Sequence, residues 1–155
     1  METTGEHRRL AILVDYLFGR GVSRVLPKHG IKLIYSKRSG RVKLVFVGGE
    51  LFATVKPTGA MALSLRGATL LSRSPKFREN CVEVVDETAE FVKAGKSVFC
   101  KFVRRAGKNI YPKSEVAVVD SEGRVLGVGM AVLNGKHMAL FKSGVAVKVR
   151  AGLKQ

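Results

Sequence analysis

Turn-forming residues divide the carboxy-terminal half of the chain, residues 81–155, into short strand-like runs. Apolar residues, many of them Val, fill the runs, while Gly, Asp, Asn and Pro fill the gaps, which is the pattern of a small sheet with tight connections. One segment, Asp86–Ala94, has helical character, because acids come first, Lys93 comes late and Gly95 follows as a cap. The runs are Cys81–Val85, Ser97–Arg105, Glu115–Val119, Arg124–Val132 and Gly144–Arg150. We therefore expect a compact, mainly β module that begins in the order strand, helix, strand.

The amino-terminal half opens with an amphipathic helix and continues with strands. Apolar residues at i, i+3, i+4, i+7 and i+8 form one stripe, and Gly19 follows as a left-handed cap. The stripe consists of Leu10, Leu13, Val14, Leu17 and Phe18. Four strand candidates come next, with a hairpin turn at Gly48–Gly49 and a short helix near Gly67–Leu71. The strand candidates are Ile31–Ser36, Arg41–Val47, Leu51–Lys56 and Ala60–Leu65. This half is predicted to be a small α+β domain.

The segment Ser72–Asn80 is interpreted as a linker between two domains. It is polar, contains Pro75 and interrupts both the helical and the strand period. The predicted domains are residues 1–79 and residues 80–155, and the shortness of the linker favours domains that pack together. Its positive charges, Arg73, Lys76 and Arg78, suit either a linker that lies on nucleic acid or an ordinary solvated linker.

The balance of charge points to an acidic partner. Lys and Arg number 28 against 12 Asp and Glu, which gives a formal net charge of +16 and a pI near 10.4. Both halves share the excess, and nucleic acid is the leading candidate because phosphate contacts dominate such binding. A ribosomal surface and an anionic membrane are the alternatives. No apolar run is as long as a membrane span and no signal-peptide core is visible, so we expect a cytoplasmic protein with no membrane partner.

The sequence resembles a known RNA-binding family. Val92–Lys101, Tyr111–Asp120, Gly123–Val132 and Gly144–Arg150 resemble the PUA domain, the RNA-binding module of pseudouridine synthases and archaeosine transglycosylases. Asp15–Gly21, Ser39–Phe46, Gly48–Thr54 and Ala62–Leu71 resemble the small domain that precedes PUA in archaeal tRNA-guanine (archaeosine) transglycosylases. The resemblance implies an α+β N-terminal domain followed by a mainly-β PUA pseudo-barrel.

The first candidate RNA-binding residues follow the predicted helix of the PUA half. Gly95 ends the helix, and Lys96 and Ser97 can offer an ammonium group and a closely approaching backbone to phosphate or ribose. In PUA domains the corresponding helix, loop and strand face RNA, so the resemblance implies contact here, while a helix cap alone needs no ligand. In the next run, alternation places Phe99 and Lys101 on one face. This suits base stacking beside a neutralised phosphate, with a core position for Phe99 as the alternative.

Two further groups of basic residues complete the candidate site. One loop holds Arg104, Arg105, Lys108 and Asn109 around Gly107. Loops commonly carry function, although a solvated charge cluster would look the same in sequence. The last predicted strand points Val145, Val147 and Val149 inward and Ala146, Lys148 and Arg150 outward. Lys148 and Arg150 are therefore expected to extend a basic edge.

No constellation for catalysis, metal binding or a cofactor is recognisable. Cys81 and Cys100 lie in apolar runs without a companion at ligand spacing, which indicates buried, reduced thiols. His7, His29 and His137 are far apart, and Gly127-Val-Gly129 lies inside a strand-like run rather than a dinucleotide loop. The transglycosylases that the chain resembles carry catalytic aspartates and a zinc site in a large barrel domain, and neither has a counterpart here. We expect no catalytic residues, no metal and no cofactor.

The expected function is recognition of RNA without catalysis. By the resemblance, the RNA is tRNA, bound at the acceptor stem and 3′ end, and the protein is a recognition module or subunit for a separate modification enzyme. The alternative is a translation or ribosome-biogenesis factor that binds ribosomal RNA, because the factors of the malignant T-cell amplified sequence family also place a small domain before PUA. Enrichment of tRNA or of ribosomal RNA with the purified protein would separate the two.

Overall fold

A helix and an antiparallel sheet form the first half of the protein. The computed structural model describes residues 5–155 of the chain. The elements are α1 (Gly5–Phe18), a 3-10 turn (Val22–Val25), β1 (Ile31–Tyr35), β2 (Val42–Val47), β3 (Glu50–Val55), β4 (Met61–Leu63) and α2 (Leu65–Leu71). The four strands are paired antiparallel in sequence order, with β1 and β4 at the edges. The predicted helix and the four predicted strands are confirmed.

The apolar stripe of α1 explains how the helix is placed. Leu10, Val14 and Phe18 are buried in the core, one or two turns apart. Gly19 has a φ of 126°, in the left-handed region that glycine tolerates, and its N–H donates to the Asp15 carbonyl at 3.0 Å. The predicted cap is confirmed.

A curled six-stranded sheet forms the second half. Its elements are a 3-10 helix (Pro75–Asn80), β5 (Cys81–Val84), a 3-10 turn (Asp86–Thr88), α3 (Ala89–Lys93), β6 (Val98–Phe99), a 3-10 turn (Cys100–Phe102), β7 (Val103–Ala106), β8 (Glu115–Val119), β9 (Val125–Ala131), α4 (Gly135–Leu140) and β10 (Val145–Gly152). The spatial order is β6-β10-β9-β8-β5-β7, with only β5 and β8 parallel. The sheet is a nearly closed pseudo-barrel, as predicted, so the predicted fold class, an α+β domain followed by a mainly-β pseudo-barrel, is confirmed.

The predicted strand Ser97–Arg105 is wrong as one continuous element. It divides into β6 and β7, which lie at opposite ends of the sheet order and are joined by the single turn Cys100–Phe102. The turn is held by the Cys100 N–H, which donates to the Gly144 carbonyl at 2.9 Å. A connection this short joins the two edges only if the sheet curls nearly into a barrel, so the fold itself breaks the strand.

Two details of the barrel also differ from the sequence analysis. α4 was not predicted, although Asn134 caps it by accepting a hydrogen bond from the His137 N–H at 2.8 Å. Ala146 is fully buried rather than outward, because the pairing of β10 with β6 shifts register between Val145 and Val147.

The segment between the halves is not a solvated linker. Most of it forms the 3-10 helix Pro75–Asn80, in which Phe77 has no exposed surface and Asn80 is buried. The Phe77 ring packs edge-on against Phe18, with ring centroids 5.6 Å apart. The Asn80 amide donates to the Phe18 carbonyl at 2.7 Å. One apolar core therefore extends from α1 through this segment into the barrel, while the boundary between residues 79 and 80 stays a prediction.

An ion pair between the buried side chain of Glu115 and the partly exposed Arg150 also joins the halves at the edge strand β4. The Leu63 N–H donates to the Glu115 carboxylate at 2.5 Å, and the Leu63 carbonyl accepts from the Arg150 guanidinium at 2.7 Å. Arg150 also pairs with Glu115. Burial raises the pKa of Glu115, and the guanidinium opposes that rise. Both polar backbone groups of Leu63 are thus satisfied by the barrel.

Truncation of Phe77, the aromatic residue between the halves, is expected to destabilise both halves together. Phe77→Ala should lower the free energy of unfolding by about 3–5 kcal/mol, because it removes a fully buried ring from the shared core. Urea denaturation followed by circular dichroism measures this, with one cooperative transition before and after the change. Phe91→Ala, at an exposed phenylalanine, is the matched control. Equal destabilisation of the two variants would contradict a shared core.

Candidate nucleic-acid interface

Gly95 ends α3 as predicted, for reasons within the protein. Its φ is 90°, its N–H donates to the Val92 carbonyl at 2.9 Å, and the Lys96 N–H donates to the Phe91 carbonyl at 2.9 Å. A Cβ at Gly95 would collide with the Gln155 side chain, whose amide oxygen accepts from the Gly152 N–H at 2.9 Å. The close approach at Gly95 is therefore to the end of the same chain, and Lys96 is the exposed residue that follows it.

The register of β6 places this loop beside the last strand. Val98 lies opposite Val147 in the antiparallel pair. The loop that ends at Ser97 therefore enters the sheet beside the part of β10 that contains the exposed Lys148. Two of the sequence-predicted groups, the loop after α3 and the last strand, are thus parts of one surface.

The turn after β6 separates two residues that were predicted to share a face. Phe99 is 46% exposed and so is not a core residue. Lys101 is exposed, but its ammonium lies 5.0 Å from the ring centroid of Phe102, not over Phe99. The predicted pairing of Phe99 with Lys101 on one strand face is wrong because a 3-10 turn begins directly after Phe99 and contains Lys101.

Glu79 joins the end of β7 to the loop before β8. The predicted loop position of Arg104 and Arg105 is wrong, because both residues lie in β7 and only Lys108 and Asn109 follow it. The Glu79 carboxylate accepts from the Arg105 guanidinium at 3.2 Å and from the Lys108 N–H at 3.0 Å. The Lys108 backbone hydrogen bond and the Arg105 charge lower the pKa of Glu79, although burial acts in the opposite direction. Arg105 is therefore already ion-paired, while Arg104 and the Lys108 ammonium face solvent. Arg150, paired with Glu115, resembles Arg105 in this respect.

A groove lies between this loop and α4. Its volume is about 520 Å³, and Lys108 and Tyr111 on the loop side face Lys136 and Leu140 on the helix. The Tyr111 side chain is 61% exposed. Sequence analysis did not assign Tyr111 or Lys136 to the site. Two signals in the sequence could have identified them: Tyr111 is an aromatic residue close to basic residues, and Asn134 is a capping residue that indicates the start of the helix carrying Lys136.

The arrangement offers phosphate contacts and aromatic surfaces. The exposed cations Lys96, Lys101, Arg104, Lys108, Lys136 and Lys148 can neutralise phosphates, and Phe99 and Tyr111 present rings on which unpaired bases can stack.

Residues 5–155 contain no group of three His, Cys, Asp or Glu side chains arranged to hold a metal ion. Gly127 and Gly129 lie within β9, where a Cβ at Gly129 would collide with the backbone of Lys148, so they are packing glycines.

Both cysteines are unbridged and buried, as predicted. Burial raises the pKa of the Cys81 thiol to about 12, so that it stays protonated at neutral pH.

Within the described part of the chain, no helix combines the length and the apolar character needed to cross a membrane.

Two family models match the chain. The patch-forming domain C2 of tRNA-guanine transglycosylase matches residues 8–77, and the PUA domain matches residues 80–153. The chain carries a transglycosylase C2 domain followed by a PUA domain. The resemblance inferred from the sequence motifs is confirmed. PUA domains bind RNA.

Relatives of the C2-PUA chain are archaeal tRNA-guanine(15) transglycosylases. The enzyme of Thermoplasma volcanium is 37% identical over 151 residues, which cover 95% of this chain and 23% of the enzyme. That of Thermococcus onnurineus is 37% identical over 145 residues, which cover 92% of this chain and 24% of the enzyme. The chain therefore spans about a quarter of the length of these relatives. The matched region lies at their carboxy-terminal end, outside the catalytic domain.

Two solved structures share the fold of nearly the whole chain. A hypothetical protein of Pyrococcus horikoshii has a TM-score of 0.74 at 20% identity, and the match covers 97% of this chain and 91% of that protein. A PUA domain protein of Thermoplasma acidophilum has a TM-score of 0.60 at 17% identity, with 98% and 93% covered. Sequence identity this low supports the fold alone.

Glu79 is expected to make the stability of the C2-PUA chain sensitive to acid. Because its pKa is lowered on folding, its stabilising contribution is fully present above the ordinary value of 4.5 and is lost as the pH falls below it. Glu79→Gln should therefore lower the thermal midpoint at pH 7, and the gap from the parent should narrow toward pH 3. Glu87→Gln, at an exposed glutamate, is the control. A gap that stays constant with pH would contradict this role for the Glu79 carboxylate.

Proposed function

We propose that the protein binds tRNA at the acceptor stem and 3′ end, as a non-catalytic recognition module or subunit for tRNA modification. The observation that carries the proposal is the C2-PUA pair, which aligns over 95% of the chain with a tRNA-guanine(15) transglycosylase at 37% identity. The aligned part lies outside the catalytic domain of those enzymes. If the chain acts as a subunit, the partner in this proposal is a separately encoded modification enzyme.

The surface of the PUA half supports the proposal physically. Exposed lysines and arginines that are not neutralised by a neighbouring carboxylate release counterions when they meet phosphates, which favours binding strongly at low salt. The groove beside α4 adds Tyr111 to this charge, and Phe99 lies exposed after β6. Unpaired nucleotides at a 3′ end offer base faces to such rings, whereas a continuous duplex does not.

Arg104 in β7 and Lys108 in the loop that follows are expected to neutralise phosphates of the RNA. Arg104→Ala/Lys108→Ala should weaken binding of a tRNA transcript and reduce the dependence of log K on log salt by about 0.7–0.9 for each phosphate that is no longer neutralised. Fluorescence anisotropy over a salt series measures both quantities. Lys28→Ala/Lys32→Ala removes the same charge from exposed positions in the amino-terminal half. Equal effects of the two double variants would contradict a site in the PUA half.

Two cations of β10 are expected to behave differently when neutralised. Lys148→Gln should lower the salt dependence of tRNA binding and leave the thermal midpoint unchanged, because Lys148 is exposed. Arg150→Gln should lower the thermal midpoint, because it leaves the buried Glu115 carboxylate without its cation, and should change the salt dependence less. Thermal denaturation and the same anisotropy series compare the two variants. The reverse order of effects would assign Arg150 to RNA.

The specificity for the 3′ end is tested by changing the RNA rather than the protein. We expect a tRNA transcript without its single-stranded 3′ nucleotides to bind more weakly than the intact transcript. Cross-linking and sequencing of RNA bound in the cell complements this measurement. Enrichment of tRNA supports the proposal and directs the search toward a catalytic partner, whereas enrichment of ribosomal RNA would favour a translation or ribosome-assembly factor.

A further inference from the structure

A second cleft lies in the amino-terminal half, at one end of the four-stranded sheet. It opens between α1, the β1–β2 turn and the β3–β4 turn, and its volume is about 940 Å³. Ligand sites typically enclose roughly 300–1,000 Å³, so the cleft is large enough for a nucleotide. Its floor consists of Leu13, Tyr35, Val42 and Val55. The three aliphatic residues are only partly covered by the core, and Tyr35 is 40% exposed.

A break in strand pairing shapes this cleft. Ile34 is opposite Leu44, but Tyr35 is opposite Val42, so Lys43 has no partner on β1. A bulge of this kind bends the strand and redirects side chains. Here it keeps Tyr35 and Val42 on the floor and adds Lys43 to the lining.

The rim of the cleft is basic. It includes Arg38, Arg41, Lys43 and Lys56, and none of the described residues that line the cleft is Asp or Glu. The Arg41 guanidinium donates to the Pro57 carbonyl at 3.1 Å, which ties the two turns together. Arg9 donates to the Tyr35 hydroxyl, and its guanidinium carbon lies 5.7 Å from the Tyr35 ring centroid. The cleft therefore combines a positive rim with an aromatic, apolar floor.

We propose that this cleft binds one unstacked nucleotide of a single-stranded RNA segment. The base would lie against Tyr35 and the aliphatic floor, and the flanking phosphates would meet Arg38 and Lys43. An isolated phosphate would leave the apolar floor unused, and an uncharged apolar ligand would leave the cationic rim unpaired, whereas a nucleotide satisfies both. The inference rests on the proposed function only in that the ligand is RNA, since the site is separate from the PUA surface.

Short RNA tests the cleft without the rest of a tRNA. The probe is the single-stranded pentanucleotide of uridine or of adenosine, added to the full chain and followed by amide chemical shifts. We expect shifts to concentrate at residues 35–43 and 54–59. Tyr35→Leu should weaken binding at least about fivefold because it removes the ring, and Tyr35→Phe should stay within about twofold of the parent.

A charge-matched pair of variants tests the rim. Arg38→Ala/Lys43→Ala should weaken pentanucleotide binding and lower its salt dependence, whereas Lys28→Ala/Lys32→Ala, which lie outside the lining, should change the affinity less. The thermal midpoint of each variant shows that the fold is retained. The same variants are then measured with intact tRNA.

The outcomes separate this inference from the proposed function. Chemical-shift changes confined to residues 80–155, or an unchanged affinity in Tyr35→Leu, would contradict nucleotide binding in the cleft. The proposal that the PUA half binds tRNA would not be affected. Equal shifts from inorganic polyphosphate, which has no bases, would also contradict nucleotide binding in the cleft. Shifts in the cleft from the pentanucleotide, in a chain that fails to bind tRNA, would support the cleft and contradict the proposed function.

Discussion

Phe77 has no exposed surface, although it lies in the segment that joins the two halves of the chain. Its ring packs edge-on against Phe18 of α1. The side-chain amide of Asn80, three residues later, donates a hydrogen bond to the carbonyl of the same Phe18. Because protein interiors are closely packed, a ring buried in this way fixes the relative position of both halves. The C2 and PUA domains are therefore packed together around one core, and their basic surfaces hold a fixed arrangement in this structure. An RNA that contacts both would meet two surfaces at a fixed spacing, without the entropic cost of ordering a flexible linker.

Several carboxylates hold elements of the fold together. Glu79 holds the basic loop and Glu115 joins β4 to the barrel. Asp15 accepts from the Ser23 N–H at 2.8 Å and so fixes the turn after α1. Carboxylates that bond inside the protein cannot neutralise the outer surface. Surface ion pairs such as Arg66 with Glu50 and Lys154 with Glu90 take up only part of the excess of Lys and Arg, and many of the other cations face solvent.

Sequence reasoning reached part of the candidate interface and missed part of it for physical reasons. Lys96, Lys101, Arg104 and Lys108 were selected because basic residues in predicted loops, or on the outward face of a predicted strand, can be read from sequence alone. Tyr111 and Lys136 were not selected, because they face each other across a groove that exists only after α4 packs against the loop. Arg105 and Arg150 look like free cations in the sequence, yet each is paired with a glutamate more than 25 positions away. Whether any of these residues contacts RNA stays a prediction.

The sequence by itself determined the family, the fold class and the sign of the charge, because strand and helix periods, turn glycines and composition are local properties. It also determined that Gly95 ends α3, since a left-handed cap is decided within a few residues. Tertiary structure decided the break of Ser97–Arg105 into two strands, the burial of the joining segment, and the formation of the cleft around Tyr35. These features depend on closing a barrel, filling a shared core and leaving one sheet end uncovered. Each is a contact between residues distant in sequence, and no local pattern specifies it.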